Sequence, residues 1–168
     1  MLASLGLILV REGELDAAHE ELIRALALTR SAEGAYEPVA LGGLASIAFA
    51  NQDYQLSTEL YRQALRASRG DDARHRCEDL AGLTESLAAE GKTSEMKRAA
   101  QKLVTEAQAS HLDLFASQAF GRTARWFQGR RIRTAAQLYS AFIGLAYTGM
   151  RGRHDAPEAW RTSILAQA

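Results

Sequence analysis

The apolar side chains of this chain fall three and four residues apart. Leu41, Leu44, Ile47 and Ala48 precede a polar break around Gln52, and Leu56, Leu60, Tyr61, Ala64 and Leu65 follow it. Steps of that size line one face of an α-helix, and the two-residue alternation of a half-buried strand is absent. The spacing predicts helices over roughly residues 2–11, 15–30, 36–50, 54–69, 73–89, 93–110, 113–128 and 132–148, with a last one over 156–166. Pro38 suits this assignment, because the first turn of a helix has no use for the N–H that proline lacks.

The breaks between helices recur at one distance. Gly13 in REGELDAA, Gln52 in ANQDYQLS, Gly91 in AEGKTSEM and Arg130 in QGRRIRTAA follow one another at a constant period of 39. The same shift superposes Leu5 on Leu44 and Leu83, Leu15 on Tyr54, Leu22 on Tyr61, Ala25 on Ala64, and Leu26 on Leu65 and Val104. Ala18, Ser57, Met96 and Ala135 also fall together, so small residues recur at a helical position where two backbones can approach. A constant period of this size is the mark of a solenoid, whose units bury their apolar faces only against neighbours. The expected fold is all-α: a right-handed solenoid of four antiparallel helix pairs, approximately 1–34, 35–72, 73–111 and 112–150, plus a closing helix at 155–167, forming one domain. The first unit starts inside its own first helix. A larger repeat array or a second subunit is therefore expected to cover an apolar surface that includes Leu2, Leu5 and Leu9.

The run LGLILVREGELDAAHEELIRALAL resembles the tetratricopeptide repeat. Leu5 and Gly6 look like its leucine-glycine pair, Gly13 its turn, Leu15 its aromatic-or-apolar position, Ala18 and Ala25 its small residues and Leu22 its large packing residue. LASIAFANQDYQLSTELYRQAL is similar, with Tyr54, Tyr61 and Ala64 in place. The unit is longer than the ~34 residues of the standard repeat, its usual proline is missing, and Arg122 stands where a leucine is expected. Longer units of this kind resemble the C-terminal repeat regions of bacterial regulators of the MalT and LuxR type. TAAQLYSAFIGLAYTGMRGRHDAPEAWRTSIL is similar to their last repeat and closing helix. The resemblance implies a sensor or scaffold arm without ATPase or DNA-binding domains of its own.

Such a family lines its inner wall with the first helix of each unit. The implied partner-binding positions are Leu7, Val10 and Arg11, then Ser46 and Phe49, then Glu85 and Ala88, then Phe120, Ala124 and Phe127. This wall is more apolar than charged, which suits an amphipathic helix or apolar peptide. The same aromatics would serve equally as inter-helix core, and Trp126 matches an intra-unit packing position.

Composition narrows the chemistry. The chain has 168 residues, 47% of them hydrophobic, yet no stretch reaches the ~20 apolar residues that span a bilayer. The start lacks the basic residues and small-residue cleavage site of a signal peptide, and one cysteine, Cys77, excludes an internal disulfide framework. A cytoplasmic setting is expected. SLAAEGKT ends like a phosphate-binding loop but has Ser86 where that loop needs glycine, and it sits in helical spacing. His19 and Glu20 begin a zinc-protease-like run whose second histidine is replaced by Ile23. His75 and Cys77 lie two apart and point to different helix sides, while His111 and His154 have no acid, thiol and base around them. No catalytic residue, cofactor or metal is expected.

The zero net charge conceals a dipole. Residues 1–90 carry 15 acidic and 8 basic side chains, a net of −7, and residues 91–168 carry 5 and 12, a net of +7. Arg122, Arg125, Arg130, Arg131 and Arg133 form a candidate basic patch, extended by Arg151, Arg153 and Arg161. Solvated arginine-rich faces explain it best. Nucleic-acid binding through its phosphates is the less favoured reading, and head-to-tail docking of the acidic end on the basic end is a third. The expectation is a non-catalytic protein-protein interaction scaffold or sensor, related to a bacterial signalling or transcriptional regulator. Homo-oligomerisation through the first helix is a second mode of partnering. The alternative is a receptor closing its groove on a peptide or small molecule.

Overall fold

In the computed structural model, residues 2–29, 36–68, 72–110 and 112 are described. Among them the chain is wholly helical, with α1 (Leu2–Glu12), α2 (Leu15–Thr29), α3 (Glu37–Ala50), α4 (Tyr54–Ala67), α5 (Ala73–Ala89) and α6 (Thr93–Ala109). These are the six helices expected over this part of the chain. The α4 helix stops at Ala67, short of the expected residue 69, because Ser68 turns to an extended backbone. The helices expected beyond residue 112, the turn at Arg130, the basic patch of Arg122, Arg125, Arg130, Arg131 and Arg133, and Phe120, Ala124 and Phe127 lie outside the described residues.

Local chemistry sets the ends. Asp53 and Asp72 accept the N–H of Leu56 and of His75, each at 3.0 Å, so α4 and α5 begin on carboxylate caps. Such a cap contributes about 1 kcal/mol by satisfying an orphan helix donor. Pro38 lies in the first turn of α3. The turns after α1, α3 and α5 share one conformation: Gly13, Gln52 and Gly91 have φ of 86°, 66° and 75°. Behind each, the N–H of Glu14, Asp53 and Lys92 reaches back to the carbonyl of Leu9, Ala48 and Leu87 at 3.0, 2.9 and 2.9 Å. The left-handed residue lets the chain reverse and satisfies helix-end carbonyls. Gln52 adopts it with a side chain, which costs about 1 kcal/mol relative to glycine.

Each turn closes a hairpin, α1–α2, α3–α4 and α5–α6, and each hairpin packs on the next through α2 on α3 and α4 on α5. The odd helices also touch in order, α1 to α3 and α3 to α5. Helix α3 is therefore enclosed, and its Ala40, Leu41, Gly42, Gly43, Leu44, Ala45 and Ile47 are all buried. That is why its sequence is apolar all round.

The contacts between hairpins repeat with the chain. Leu22 of α2 lies so close to Gly43 of α3 that an added Cβ would stand 2.8 Å from its methyls. Tyr61 of α4, one period further along, presses its ring still closer to Gly82 of α5. The fully buried Leu22 also lies against Gly6 of α1, where a Cβ would meet it at 2.6 Å. In both junctions a bulky side chain seats against bare backbone, the close-packed arrangement that small residues permit. Two clusters result: one around Leu22, Leu44 and Ile47, the other around Tyr61, Leu80, Leu87, Met96 and Leu103.

Candidate interaction surface

Helices α1, α3 and α5 place the expected wall residues in rows, one residue per repeat. Leu7, Ser46 and Glu85 form one row, and all three are half-buried. Val10, Phe49 and Ala88 form the next. Val10 and Phe49 are half-buried, whereas Ala88 belongs to the core and has almost no surface to offer. Arg11 is exposed. The Phe49 ring leans on Tyr54 across the hairpin turn, with centroids 5.4 Å apart and planes at 59°. That tilted geometry is favourable for aromatic pairs.

The rows are not chemically uniform. Leu7 packs on α3, its Cδ2 atom 3.2 Å from where a Gly43 Cβ would be. Ser46, its counterpart, has its hydroxyl 2.8 Å from the Tyr61 phenol oxygen and 3.1 Å from the Gly42 carbonyl it donates to. Burial pushes the Tyr61 phenol well above its ordinary value, the Ser46 bond opposes this, and Glu85, Asp79 and Glu78 add to it. Tyr61 is therefore a neutral hydroxyl that ties α4 to Ser46 of α3.

The sequence pattern does not single out Asp79. Its carboxyl is buried between α5 and α3, with Oδ1 against the Gly42 backbone. Burial, then the nearby Glu78, pushes the carboxyl up to about 8, while Arg76 opposes them. At neutral pH the proton is mostly retained. The clue in the sequence is its register: Asp79 falls one period after Ala40, a fully buried alanine.

Other titratable groups serve the hairpins. Arg76 forks onto Glu106 at 3.0 and 2.6 Å, tying α5 to α6. That bond holds the Glu106 carboxyl below its ordinary value. His75 pairs with Asp72 at the start of α5. Cys77 is closed to solvent and burial pushes its thiol up to about 11, so little of the reactive thiolate forms at neutral pH. Among the described residues no group of three His, Cys, Asp or Glu side chains is placed to hold a metal ion, and no helix is long and apolar enough to cross a membrane.

The outer end of α1 differs from the wall. Leu5 is 44% exposed and Ile8 50%, whereas their counterparts Leu44 and Ile47 of α3 are 8% and 5% exposed. Leu2 and Leu9, expected to share that surface, instead pack against the Leu22 cluster, because they lie on the side of α1 that faces its own hairpin partners. Compared with known proteins, the chain matches no family model, no curated protein and no solved structure.

Proposed function

We propose that the chain is a non-catalytic interaction scaffold, a right-handed solenoid of tetratricopeptide-like hairpins that presents the wall of α1, α3 and α5 to a protein or amphipathic peptide. The observation that carries this reading is the recurrence, in register with the sequence period, of one turn geometry and one knob-against-glycine contact. Units that bury their faces only against neighbours form an extended surface, and such surfaces serve binding. Leu7, Val10, Arg11, Ser46, Phe49 and Glu85 are the described residues of the expected wall that keep surface. The setting suggested by the resemblance is an arm of a cytoplasmic bacterial signalling or transcriptional regulator.

Two experiments test the proposal. Excising residues 29–67, one full period, should leave a shorter chain that still unfolds cooperatively at a lower midpoint, because α2 then meets α5 in place of α3. Collapse to an unfolded chain would count against a modular stack. Phe49→Glu should release a partner recovered from cell extract and re-bound in purified form, with helical dichroism unchanged. Retention of that partner would remove Phe49 from the binding wall.

A further inference from the structure

Asp79 stands near the start of α5 at a place where an ionised carboxylate has little to hold it. It is 5% exposed, and its Oδ1 atom lies so close to the Gly42 backbone of α3 that a side chain on Gly42 would collide with it. One period earlier the position is filled by Ala40, which is equally closed to solvent, so the stack itself does not call for a polar group there.

The groups around the carboxyl do not offset its charge. On its own helix Glu78 and Asp72 have the same sign, and the nearby cation, Arg76, is already forked onto Glu106 of α6. From α4 comes the buried phenol of Tyr61. The arginines of α4 are engaged elsewhere, Arg62 with Glu95 of α6 and Arg66 with Glu59. Helix α3 brings backbone to the contact, and its one charged side chain, Glu37, is another acid. A carboxylate buried among like charges regains water only if the seam parts.

The way α5 is held lets one end part without the other. Ser57 of α4 meets Ser86, and Thr58 donates to Glu90. Ser86 and Glu90 stand about two and three turns beyond Asp79, so these ties secure the far end of the helix. The Tyr61 ring on Gly82 lies between the two ends and can serve as the pivot.

We propose that Asp79 is a proton latch on the contact between α3 and α5: protonated, it seats the start of α5 on Gly42, and ionised, it lets that end swing away while the Ser86 end stays fixed. The inference goes beyond the scaffold reading and does not depend on what the wall binds. Its sign follows from the burial. The closed form keeps its proton up to about pH 8 and the open form sheds it near the ordinary carboxyl value. Between those values opening gains by up to about tenfold per pH unit, and above the upper one the gain levels off.

The test measures two distances in the full chain by pulsed electron resonance between spin labels, with Cys77→Ala removing the native thiol. Tyr36→Cys with Arg74→Cys reports the starts of α3 and α5, and Asn51→Cys with Lys92→Cys reports the far ends; all four sites are exposed. From about pH 5 to about pH 9 the first distance should lengthen by several ångström and the second should hold, with helical dichroism unchanged. Asp79→Asn, and Asp79→Ala as a copy of Ala40, should keep the first distance short at both pH values. Gly42→Ala should part the starts even at the acid end, and adding Asp79→Ala should bring them together again. The latch is overturned by a first distance that ignores pH, by lengthening that survives both Asp79 substitutions, by equal lengthening at the two ends, by loss of helix over the same range, or by a Gly42→Ala chain that stays closed. No guest takes part in these measurements, so the wall assignment and the latch stand or fall separately.

Discussion

The two junctions between hairpins have the same geometry and opposite chemistry. At the second, between α4 and its neighbours α3 and α5, the Ser57 hydroxyl lies 2.8 Å from that of Ser86 and donates to the Ala45 carbonyl at 2.9 Å. Tyr61 meets Ser46, and Arg62 pairs with Glu95. One period earlier those pairs read Ala18 and Ile47, Leu22 and Leu7, Ile23 and Leu56. Each polar partner is replaced together with its mate. Pairs that exchange chemistry jointly are pairs that must fit each other, since a buried hydroxyl facing a methyl would forfeit about 1–3 kcal/mol. One backbone plan thus tolerates either an apolar or a hydrogen-bonded seam, provided the seam is consistent.

Gly82→Ala should separate the two seams most. Its Cβ would meet the stiff Tyr61 ring, which Ser46 also holds, whereas Gly43→Ala meets the flexible end of Leu22. Denaturant unfolding should show a loss of about 3 kcal/mol for the first and about half that for the second. Equal losses would mean that the seams do not differ in give.

Next in size is a pH effect confined to the second seam, where Asp79 stands in the place of Ala40. A carboxyl raised to about 8 in the fold and titrating near its ordinary value when unfolded favours the folded chain at low pH. That contribution is full below the unfolded value and is lost as pH rises through about 8. Wild-type stability should fall by on the order of 2 kcal/mol between mildly acidic and alkaline pH, and Asp79→Asn should flatten that fall. A variant with the same slope as wild type would place the titration elsewhere.

A double-mutant cycle on Tyr61→Phe and Ser46→Ala should return a coupling of about 1 kcal/mol, the net contribution of one buried hydrogen bond. Zero coupling would show that the bond does not tie α4 to α3. The smallest effect belongs to the exposed pair. Installing Ile23→Arg with Leu56→Glu copies the Arg62 and Glu95 pairing onto the first seam and should change stability by less than about 1 kcal/mol, because solvent screens it. A larger gain would mean that the pair is less exposed to water than its surface position suggests.

Helices and turns are legible in the sequence because their signals are local. Three- and four-residue spacing marks a helix, and Gly13 and Gly91 announce the left-handed residue. Gln52 is legible only by its distance from those two, since glutamine has no special liking for that conformation. The surroundings of the positions expected on a wall are another matter: Leu7, Val10 and Phe49 keep surface, but no local rule says that Ala88 turns inward or that Ser46 bonds Tyr61, which depends on how the neighbouring helices pack. Asp79 escapes notice for the same reason: a lone aspartate on a helix reads as solvated until a neighbouring backbone closes over it. The short runs LASL, LGGL and LAGL recur one period apart, and in the last two the glycine before the second leucine takes the knob of the preceding hairpin.

Look-alike hairpins run a hazard during synthesis, since an early segment can settle on the wrong neighbour. The alternating seams act as an address. Were α2 to land on α5, Ile23 would approach Glu95, and the bonds that Ser57, Thr58 and Arg62 make with Ser86, Glu90 and Glu95 would all go unmade. Which seam is greasy and which is wet thus gives the two landing sites different chemical labels.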